Sequence, residues 1–186
     1  GPTRRMTSHE LVMALDWLHQ HFVFLAPDEA LTIPALLKQA KALVARHGIR
    51  GLIVDPWNEF DHARGTTTET EYISTSLTQI RRFARNYGVH VWLVAHPQKL
   101  YRRDDGSYPV PTPYDISGSA HWRNKADNCL AVWRDENDPD EPVHLYVQKV
   151  RFREVGKIGL VPLRWSSING RYAEALPELA SRWGNT

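Results

Sequence analysis

The chain has 186 residues, enough for one domain with a hydrophobic core of its own. Hydrophobic residues make up 42% and charged residues 24% of the sequence, values typical of a soluble globular protein. Because the formal net charge is only +2, any contact with nucleic acid must come from local clusters of cations. The single cysteine, Cys129, excludes an intrachain disulfide and suits a reducing compartment. No apolar run is long enough to span a membrane, and no signal peptide is visible.

The two ends of the chain carry little structural signal. Gly1 and Pro2 are typical of a scar left by tag cleavage, which suggests a piece of a longer protein. Residues 171–186 show no strong signal, and 176–186 are taken as a C-terminal tail. We therefore place the domain at residues 3–175.

The first quarter of the chain predicts two helices and two strands. Apolar residues recur at helical spacing over 8–20, with Ser8 as a plausible cap. Residues 22–25 predict a short buried strand. A second helix begins near Pro34 and ends at Gly48. Residues 51–54 are a β-branched apolar run, which is typical of a fully buried parallel strand.

The remaining sequence continues the alternation of helix and strand. We expect, in order, a polar loop (61–68), a helix (69–87), a buried strand (89–95) and a long loop (97–115). A short helix (120–125) and three strands (130–133, 143–150 and 158–165) follow. This order predicts an α/β fold, with a mainly parallel sheet flanked by helices and a C-terminal antiparallel hairpin.

Two predicted strands end in polar residues that can share one crevice. Asp55 and His96 follow the strands at 51–54 and 89–95, where open α/β sheets bind ligands. A carboxylate that orients Mg²⁺ beside a donor to a γ-phosphate is a nucleotide-hydrolysing arrangement. Alternatively, Asp55 caps the following turn, and His96 is a satisfied histidine at a strand end. Gln98 is a further candidate contact, or a surface residue.

Cations cluster at two further places. Lys149, Arg151 and Arg153 alternate along a predicted strand and so share one face. They either protect an edge strand from aggregation or serve as arginine-finger groups that point outward to a neighbour's phosphates.

The second cluster lies in the long loop. It contains Lys99, Arg102 and Arg103 beside two tyrosines, a composition suited to single-stranded nucleic acid, although solvated loop charge is the simpler interpretation. The turn Ser117-Gly118-Ser119 offers a modest anion-binding signal.

The sequence also contains informative absences. No Gly-x-x-x-x-Gly-Lys-Ser/Thr motif, which would cradle phosphates, occurs anywhere. No HExxH or paired-cysteine spacing indicates structural zinc. A metal-dependent phosphoesterase built from Asp55, Asp61, His62 and His96 stays open, as does a non-catalytic DNA-binding module.

The motifs taken together resemble a known family. They are Asp55-Pro56-Trp57-Asn58-Glu59, Thr70-Glu71-Tyr72, Val94-Ala95-His96-Pro97, Asp115-Ile116-Ser117-Gly118-Ser119-Ala120-His121 and Lys149-Val150-Arg151. In this order they resemble the helicase domain of Twinkle-type and phage primase-helicases, within the DnaB family of ring-shaped replicative helicases. The resemblance covers roughly residues 6–173.

The resemblance implies a RecA-like fold that hydrolyses ATP or another NTP with Mg²⁺ at subunit interfaces. It makes Asp55 the Walker B aspartate on Mg²⁺ and His96 the γ-phosphate sensor. Arg151, with Lys149, becomes the finger that reaches a neighbouring subunit. Arg134 matches an arginine near the nucleotide base or sugar. The alternative within the fold is a RecA-like DNA-dependent ATPase that does not unwind DNA.

The resemblance also implies partners and a cellular setting. Lys99, Arg102, Arg103 and the turn at 117–119 correspond to loops that line a channel for single-stranded DNA. The partners are further copies in a hexamer or heptamer and a linked primase, without a membrane. The expected location is the cytoplasm of a bacterium or phage-infected host, or an organellar matrix.

The chain is expected to begin after the Walker A strand of such a domain. A fragment of that kind should not turn over ATP. The strands ending near His96 and beginning near Leu130 should then close up against each other or pair with another molecule.

Overall fold

A computed structural model describes residues 5–25, 31–60, 66–117, 120–135, 138 and 142–175. The chain divides into two compact units, Gly1–Ala30 and Leu31–Thr186. The expected tag scar at 1–2 and the tail at 176–186 lie outside the described residues. No helix in the described part of the chain is both long and apolar enough to cross a membrane.

The first unit contains one helix, α1 (Ser8–His21). Its N-cap is Thr7 rather than the expected Ser8, because Thr7 forms a reciprocal capping box with Glu10. The hydrogen bonds from Thr7 lower the pKa of the Glu10 carboxyl group. Residues 22–25 form no strand, contrary to the prediction, and Phe24 is 75% exposed. An apolar run becomes a buried strand only where a neighbouring strand and a core receive it.

The helices of the second unit follow the sequence prediction closely. They are α2 (Ile33–His47), α3 (Glu69–Tyr87) and α4 (His121–Lys125). Threonine side chains cap α2 and α3 at their first turns, and left-handed glycines, Gly48 and Gly88, end them. The buried stripe of α3 ends at Phe83, and Tyr87, the last residue of the helix, is 37% exposed.

Six strands form two sheets in the described part of the chain. β1 (Gly51–Val54) and β2 (His90–Leu93) pair in parallel, as expected for consecutive strands joined by a helix. β3 (Asn128–Trp133), β4 (Val143–Val150), β5 (Gly159–Ser166) and β6 (Arg171–Glu174) form an antiparallel sheet in that order. The α/β class and the β4–β5 hairpin are confirmed. β6 was not predicted, because its four residues lack an apolar alternation.

The strands β1 and β2 bury only one face. Leu52 and Val54 are buried, whereas Ile53 is 62% and Trp92 is 51% exposed. The prediction of two fully buried strands is therefore wrong. A continuous apolar run could not distinguish one covered face from two.

The expected closure between β2 and β3 does not occur. Among the described residues β2 pairs only with β1, and β3 pairs only with β4. Each of these two strands therefore keeps a second edge without a ladder partner in the described part of the chain. Pairing of that edge with another molecule stays a prediction.

The core of the second unit is built around two tryptophans. Trp57 and Trp122 are 4% and 6% exposed, and their rings meet edge to face with centroids 5.1 Å apart. Ile33 from α2 and three isoleucines and leucines of α3 complete this cluster: Ile73, Leu77 and Ile80. The core thus joins the segment after β1 to the short helix α4.

Truncation of the central ring should measure how much this core contributes. We expect Trp57→Ala to lower the free energy of unfolding by about 3–5 kcal/mol, because a buried aromatic side chain leaves a cavity. The same substitution at Trp165, which is 53% exposed, should cost less than about 1 kcal/mol. Urea unfolding of both variants measures the difference. Equal losses would show that the Trp57 cluster is not the core that stabilises the unit.

Candidate functional site

The carboxyl ends of β1 and β2 are held side by side. Their register pairs Val54 with Leu93. Beyond the strands, the backbone N–H of Val94 donates to the carbonyl of Val54 at 2.9 Å, and that of Trp57 donates to the carbonyl of Val94 at 2.8 Å. The parallel pairing therefore continues past the strand ends, and it brings the segment at Asp55 next to the segment that leads to His96.

Asp55 and His96 fall on the same face of this pair. Side chains alternate along a strand, so Asp55 shares a face with Ile53, and His96 shares one with Trp92. The register places Ile53 opposite Trp92, which makes the two faces one. Both polar residues are exposed, on the side away from the buried core. The predicted pairing of a carboxylate and an imidazole in one crevice is consistent with this geometry.

The alternative cap role of Asp55 finds no support. The 3₁₀ turn at Trp57–Glu59 has Pro56 at its N-cap, and no side chain in the described part of the chain caps it. The next helix, α3, is capped by Thr68. Asp55 is therefore exposed at a strand tip without a role in starting the elements that follow.

Asn58, to which the sequence motif gave no role, holds the two tips together. Its side-chain oxygen accepts a hydrogen bond from the backbone N–H of His96 at 3.2 Å. This contact spans 38 positions of the chain. Only its place in the 3₁₀ turn next to Asp55 could have suggested such a role.

Lys149 and Arg151 lie against the C-terminal end of α4. Nζ of Lys149 donates to the carbonyls of Arg123 and Ala126, the latter at 2.7 Å. Nη2 of Arg151 donates to the carbonyls of Asn124 at 2.8 Å and Ala126 at 3.1 Å. The negative end of a helix favours cations at this place. The expectation that these side chains point outward is therefore wrong for the isolated chain, where they bind their own α4.

A second missed residue, Asp127, completes this arrangement. Its Oδ1 lies 2.5 Å from Nε of Arg151 and 3.6 Å from Nη2 of Arg81. Its carbonyl also accepts from the backbone N–H of Arg151 at 2.8 Å. Arg153 does not share this environment, because β4 ends at Val150 and Arg153 begins a 3₁₀ turn.

Burial and neighbouring charge change the ionisation of this region. Burial lowers the pKa of Lys149, and the positive charge of Arg151 lowers it further. Burial likewise raises the pKa of Cys129, which lies opposite Lys149 in the β3–β4 ladder. A thiol of this kind is poorly nucleophilic. The carbonyls of α4 offset part of the cost of bringing the ammonium group out of water.

Helix α4 is itself fixed to α3. Nζ of Lys125 donates to the carbonyl and hydroxyl of Ser74 at 2.5 and 2.8 Å, and to the hydroxyl of Thr78 at 2.5 Å. Desolvation in this position lowers the pKa of Lys125. Three oxygen acceptors satisfy all three N–H donors of the ammonium group.

The long loop at 97–115 has an anchored base and an exposed outer part. The guanidinium of Arg102 lies 4.7 Å from the ring centroid of Tyr108, whose carbonyl accepts from the indole N–H of Trp133 at 3.1 Å. Lys99 and Arg103 are exposed, and Tyr101 is 81% exposed. The cations and the tyrosine are thus on the surface, and their contact with DNA stays a prediction.

Three further candidate residues, Ser117, Gln98 and Arg134, are in the described part of the chain. Ser117 donates from Oγ to Oε1 of Glu69 at 2.9 Å, and its carbonyl accepts from the indole N–H of Trp122 at 3.0 Å. Gln98 is exposed, and its backbone N–H donates to the carbonyl of Asp115 at 2.7 Å. Arg134 follows β3 and is exposed.

Four of the predicted site residues cannot be placed. Gly118, Ser119, Asp61 and His62 lie outside the described residues. Within the described residues, histidine, cysteine and carboxylate side chains form no group of three that could hold a metal ion. The phosphoesterase alternative therefore gains no support from the part of the chain that can be seen.

Comparison with known proteins adds independent information. Residues 5–101, just over half of the chain, match the family described as an AAA domain. The Twinkle homolog protein, chloroplastic/mitochondrial, of Arabidopsis thaliana is 43% identical over 178 residues, which cover 92% of this chain. The chain spans only 25% of that relative's length.

Two solved structures share the fold at 18% identity. One, described as an ATPase domain, superimposes with a TM-score of 0.71 over 90% of this chain and 60% of its own. A DnaB-like replicative helicase, studied for its interactions with primase, gives a TM-score of 0.70 over 88% of this chain and 41% of its own. These likenesses confirm the RecA-like fold class. The chain therefore belongs to the AAA domain family, and its sequence is similar to part of the Twinkle homolog protein.

Proposed function

We propose that this chain is the C-terminal part of an NTP-driven, ring-shaped replicative DNA helicase core that moves along single-stranded DNA. The observation that carries the proposal is the shared exposed face of Asp55 and His96 at neighbouring strand tips. The identity of 43% to the Twinkle homolog supports it. Because the chain spans a quarter of that relative, the activity is proposed for the complete protein.

The strand tips suit an Mg²⁺–nucleotide complex. Mg²⁺ keeps several waters and takes one or two protein carboxylates plus phosphate oxygens, and Asp55 supplies one exposed carboxylate. When bound, the ion neutralises charge that develops on the phosphates. His96 would donate a hydrogen bond to the terminal phosphate, and the hydrogen bond from its backbone N–H to the side chain of Asn58 supports this role by holding the strand tip. Gln98 and Arg134 would contact the nucleotide near this pair.

The isolated chain is not expected to hydrolyse NTP. Its sequence contains no Gly-x-x-x-x-Gly-Lys-Ser/Thr loop to cradle the phosphates. Arg151, with Lys149, would complete the nucleotide site of a neighbouring copy in a hexamer or heptamer. A planar guanidinium is suited to neutralising transition-state charge.

The exposed cations of the long loop would contact the DNA. Lys99, Arg102 and Arg103 can neutralise backbone phosphates, and Tyr101 offers a ring to an unpaired base. The turn at 117–119 is the second proposed contact.

The setting and the linked partners are also proposals. An organellar matrix fits the chloroplastic/mitochondrial relative, with the cytoplasm of a bacterium or phage-infected host as the other setting. A primase domain linked to this chain remains part of the proposal.

The carboxylate at the strand tip can be tested in the complete protein. We expect Asp55→Asn to lower DNA-stimulated NTP hydrolysis by about 100-fold or more, because one charged group near the reacting phosphates is lost. Glu59→Gln, at an exposed acid in the adjacent 3₁₀ turn, should retain activity within about twofold. Steady-state phosphate release measures both variants. Full activity of Asp55→Asn would exclude this residue from the Mg²⁺ site.

The finger role predicts complementation between subunits. Arg151→Ala alone should reduce hydrolysis by about 10³-fold or more. Mixed rings of Arg151→Ala and Asp55→Asn subunits should regain activity, because some interfaces then combine an intact Asp55 with a neighbour's intact Arg151. Hydrolysis is measured across mixing ratios. Absence of recovery in rings shown to be mixed would place Arg151 in its own subunit's site.

The loop cations predict a salt-dependent contact with DNA. We expect Lys99→Ala with Arg103→Ala to weaken binding to single-stranded DNA and to reduce the slope of log K against log salt by about 1.4. Arg102 is kept because its guanidinium stacks on Tyr108. Lys38→Ala with Lys41→Ala on α2 is the matched control for charge. Fluorescence anisotropy over a salt series measures the slope, and an unchanged slope would remove the loop from the DNA path.

A further inference from the structure

Arg151 contacts Asp127, a residue to which the proposed function assigns no role. We propose that Asp127 is a positioning residue for Arg151. Its carboxylate and the last carbonyls of α4 hold one edge of the guanidinium, so that the opposite edge is presented to the nucleotide of a neighbouring copy. This inference rests on the proposed function, since it assigns the group that orients the finger.

The guanidinium is held asymmetrically. Nε is buried and lies 2.5 Å from the carboxylate of Asp127 as an ion pair without hydrogen-bond geometry, and Nη2 donates to the carbonyls of Asn124 and Ala126 at 2.8 and 3.1 Å. Nη1 has no acceptor among the described residues. The side chain is 28% exposed. Since the five N–H donors lie in one rigid plane, fixing Nε and Nη2 also fixes the direction in which Nη1 donates.

The group that holds Arg151 is itself rigid. Lys125 ties α4 to α3 through Ser74 and Thr78, and Trp122 packs edge to face on Trp57. The backbone N–H of Arg151 also donates to the carbonyl of Asp127 at 2.8 Å. Side-chain and backbone contacts thus join the same two residues, so rotation of the arginine requires the carboxylate to lose its partner.

The cations beside α4 need a negative charge as well as neutral carbonyl acceptors, and Asp127 supplies that charge. Lys149 and Arg151 share the carbonyl of Ala126, which brings two cations together. Asp127 supplies the negative charge in contact with Arg151. Arg81 is a weaker partner of the same carboxylate, at 3.6 Å with a side chain that is 50% exposed.

Loss of this carboxylate should act on the chemical step. A long side chain that is free to rotate must be ordered each time it reaches the phosphates, and arginine loses a large amount of rotamer freedom when it is fixed. Nucleotide binding should change little, because Asp127 contacts the finger rather than the nucleotide. The expected signature is therefore a lower kcat at nearly constant KM.

Kinetics of the complete protein test this signature. Asp127→Asn should lower kcat by about tenfold while KM for NTP stays within about twofold and ring assembly is unchanged. Asp127→Glu, which keeps the charge, should recover most of the rate. Arg81→Gln removes the weaker ion pair of Asp127 and should stay within about twofold. An unchanged kcat in Asp127→Asn, or an equal loss in Arg81→Gln, would overturn the proposal.

A second measurement separates this proposal from the proposed function. In the 186-residue chain, the Nε–H signal of Arg151, assigned with Arg151→Lys, should exchange with water slowly in nuclear magnetic resonance spectra, and faster in Asp127→Asn. Rapid exchange in the unsubstituted chain would overturn the positioning role, even if Asp127→Asn does not fold. If Arg151→Ala retains full hydrolysis in the complete protein, the finger role itself fails, whatever the exchange rate.

Discussion

The arrangement of this domain depends on the anchoring of a five-residue helix. Helix α4 is too short to be stable through its own hydrogen bonds, and tertiary contacts must hold it. Trp122 packs on Trp57, which follows the Asp55 strand tip, and Lys125 reaches into α3. The carbonyls at its end bind Lys149 of β4 and Arg151, which follows the strand. The strand tip at Asp55, helix α3 and the segment with Lys149 and Arg151 are therefore connected through α4. A shift of this short helix would disturb all three.

The alternation of side chains along the strands puts the core residues on one face and the candidate site residues on the other. Leu52 and Val54 of β1 enter the core and Val91 and Leu93 of β2 pack against it, whereas the alternate positions remain exposed and lead to the polar tips. The same alternation that buries one set of side chains brings Asp55 and His96 to the other face. A register shift of one residue in either strand would send one tip residue toward α3 and the other away from it.

Much of this arrangement could be predicted from local sequence, and the reasons are particular. The helices α2 and α3 have threonine caps and terminal glycines, which are signals within a few residues of each end. The positions of Asp55 and His96 followed from apolar runs that stop abruptly. The roles of Asn58 and Asp127 could not be predicted, because their partners lie 38 and 24 positions away. Asn58 stands in a recognised motif, but a motif does not show which distant backbone group its side chain meets. The exposure of Ile53 was missed since an apolar run does not record how many layers cover it.

The environment of Lys149 and Arg151 reconciles two opposing electrostatic needs. Two neighbouring cations must be stabilised where they are partly removed from water, and the proposed function also requires them to attract phosphate. Carboxylates alone would cancel their charge, whereas carbonyl dipoles stabilise cations and leave the formal charge intact. Here one carboxylate and a set of carbonyls serve two cations, so that one formal positive charge remains uncompensated. Because Asp127 binds at Nε, the uncompensated charge lies toward the exposed end of the arginine, where an approaching triphosphate would meet it.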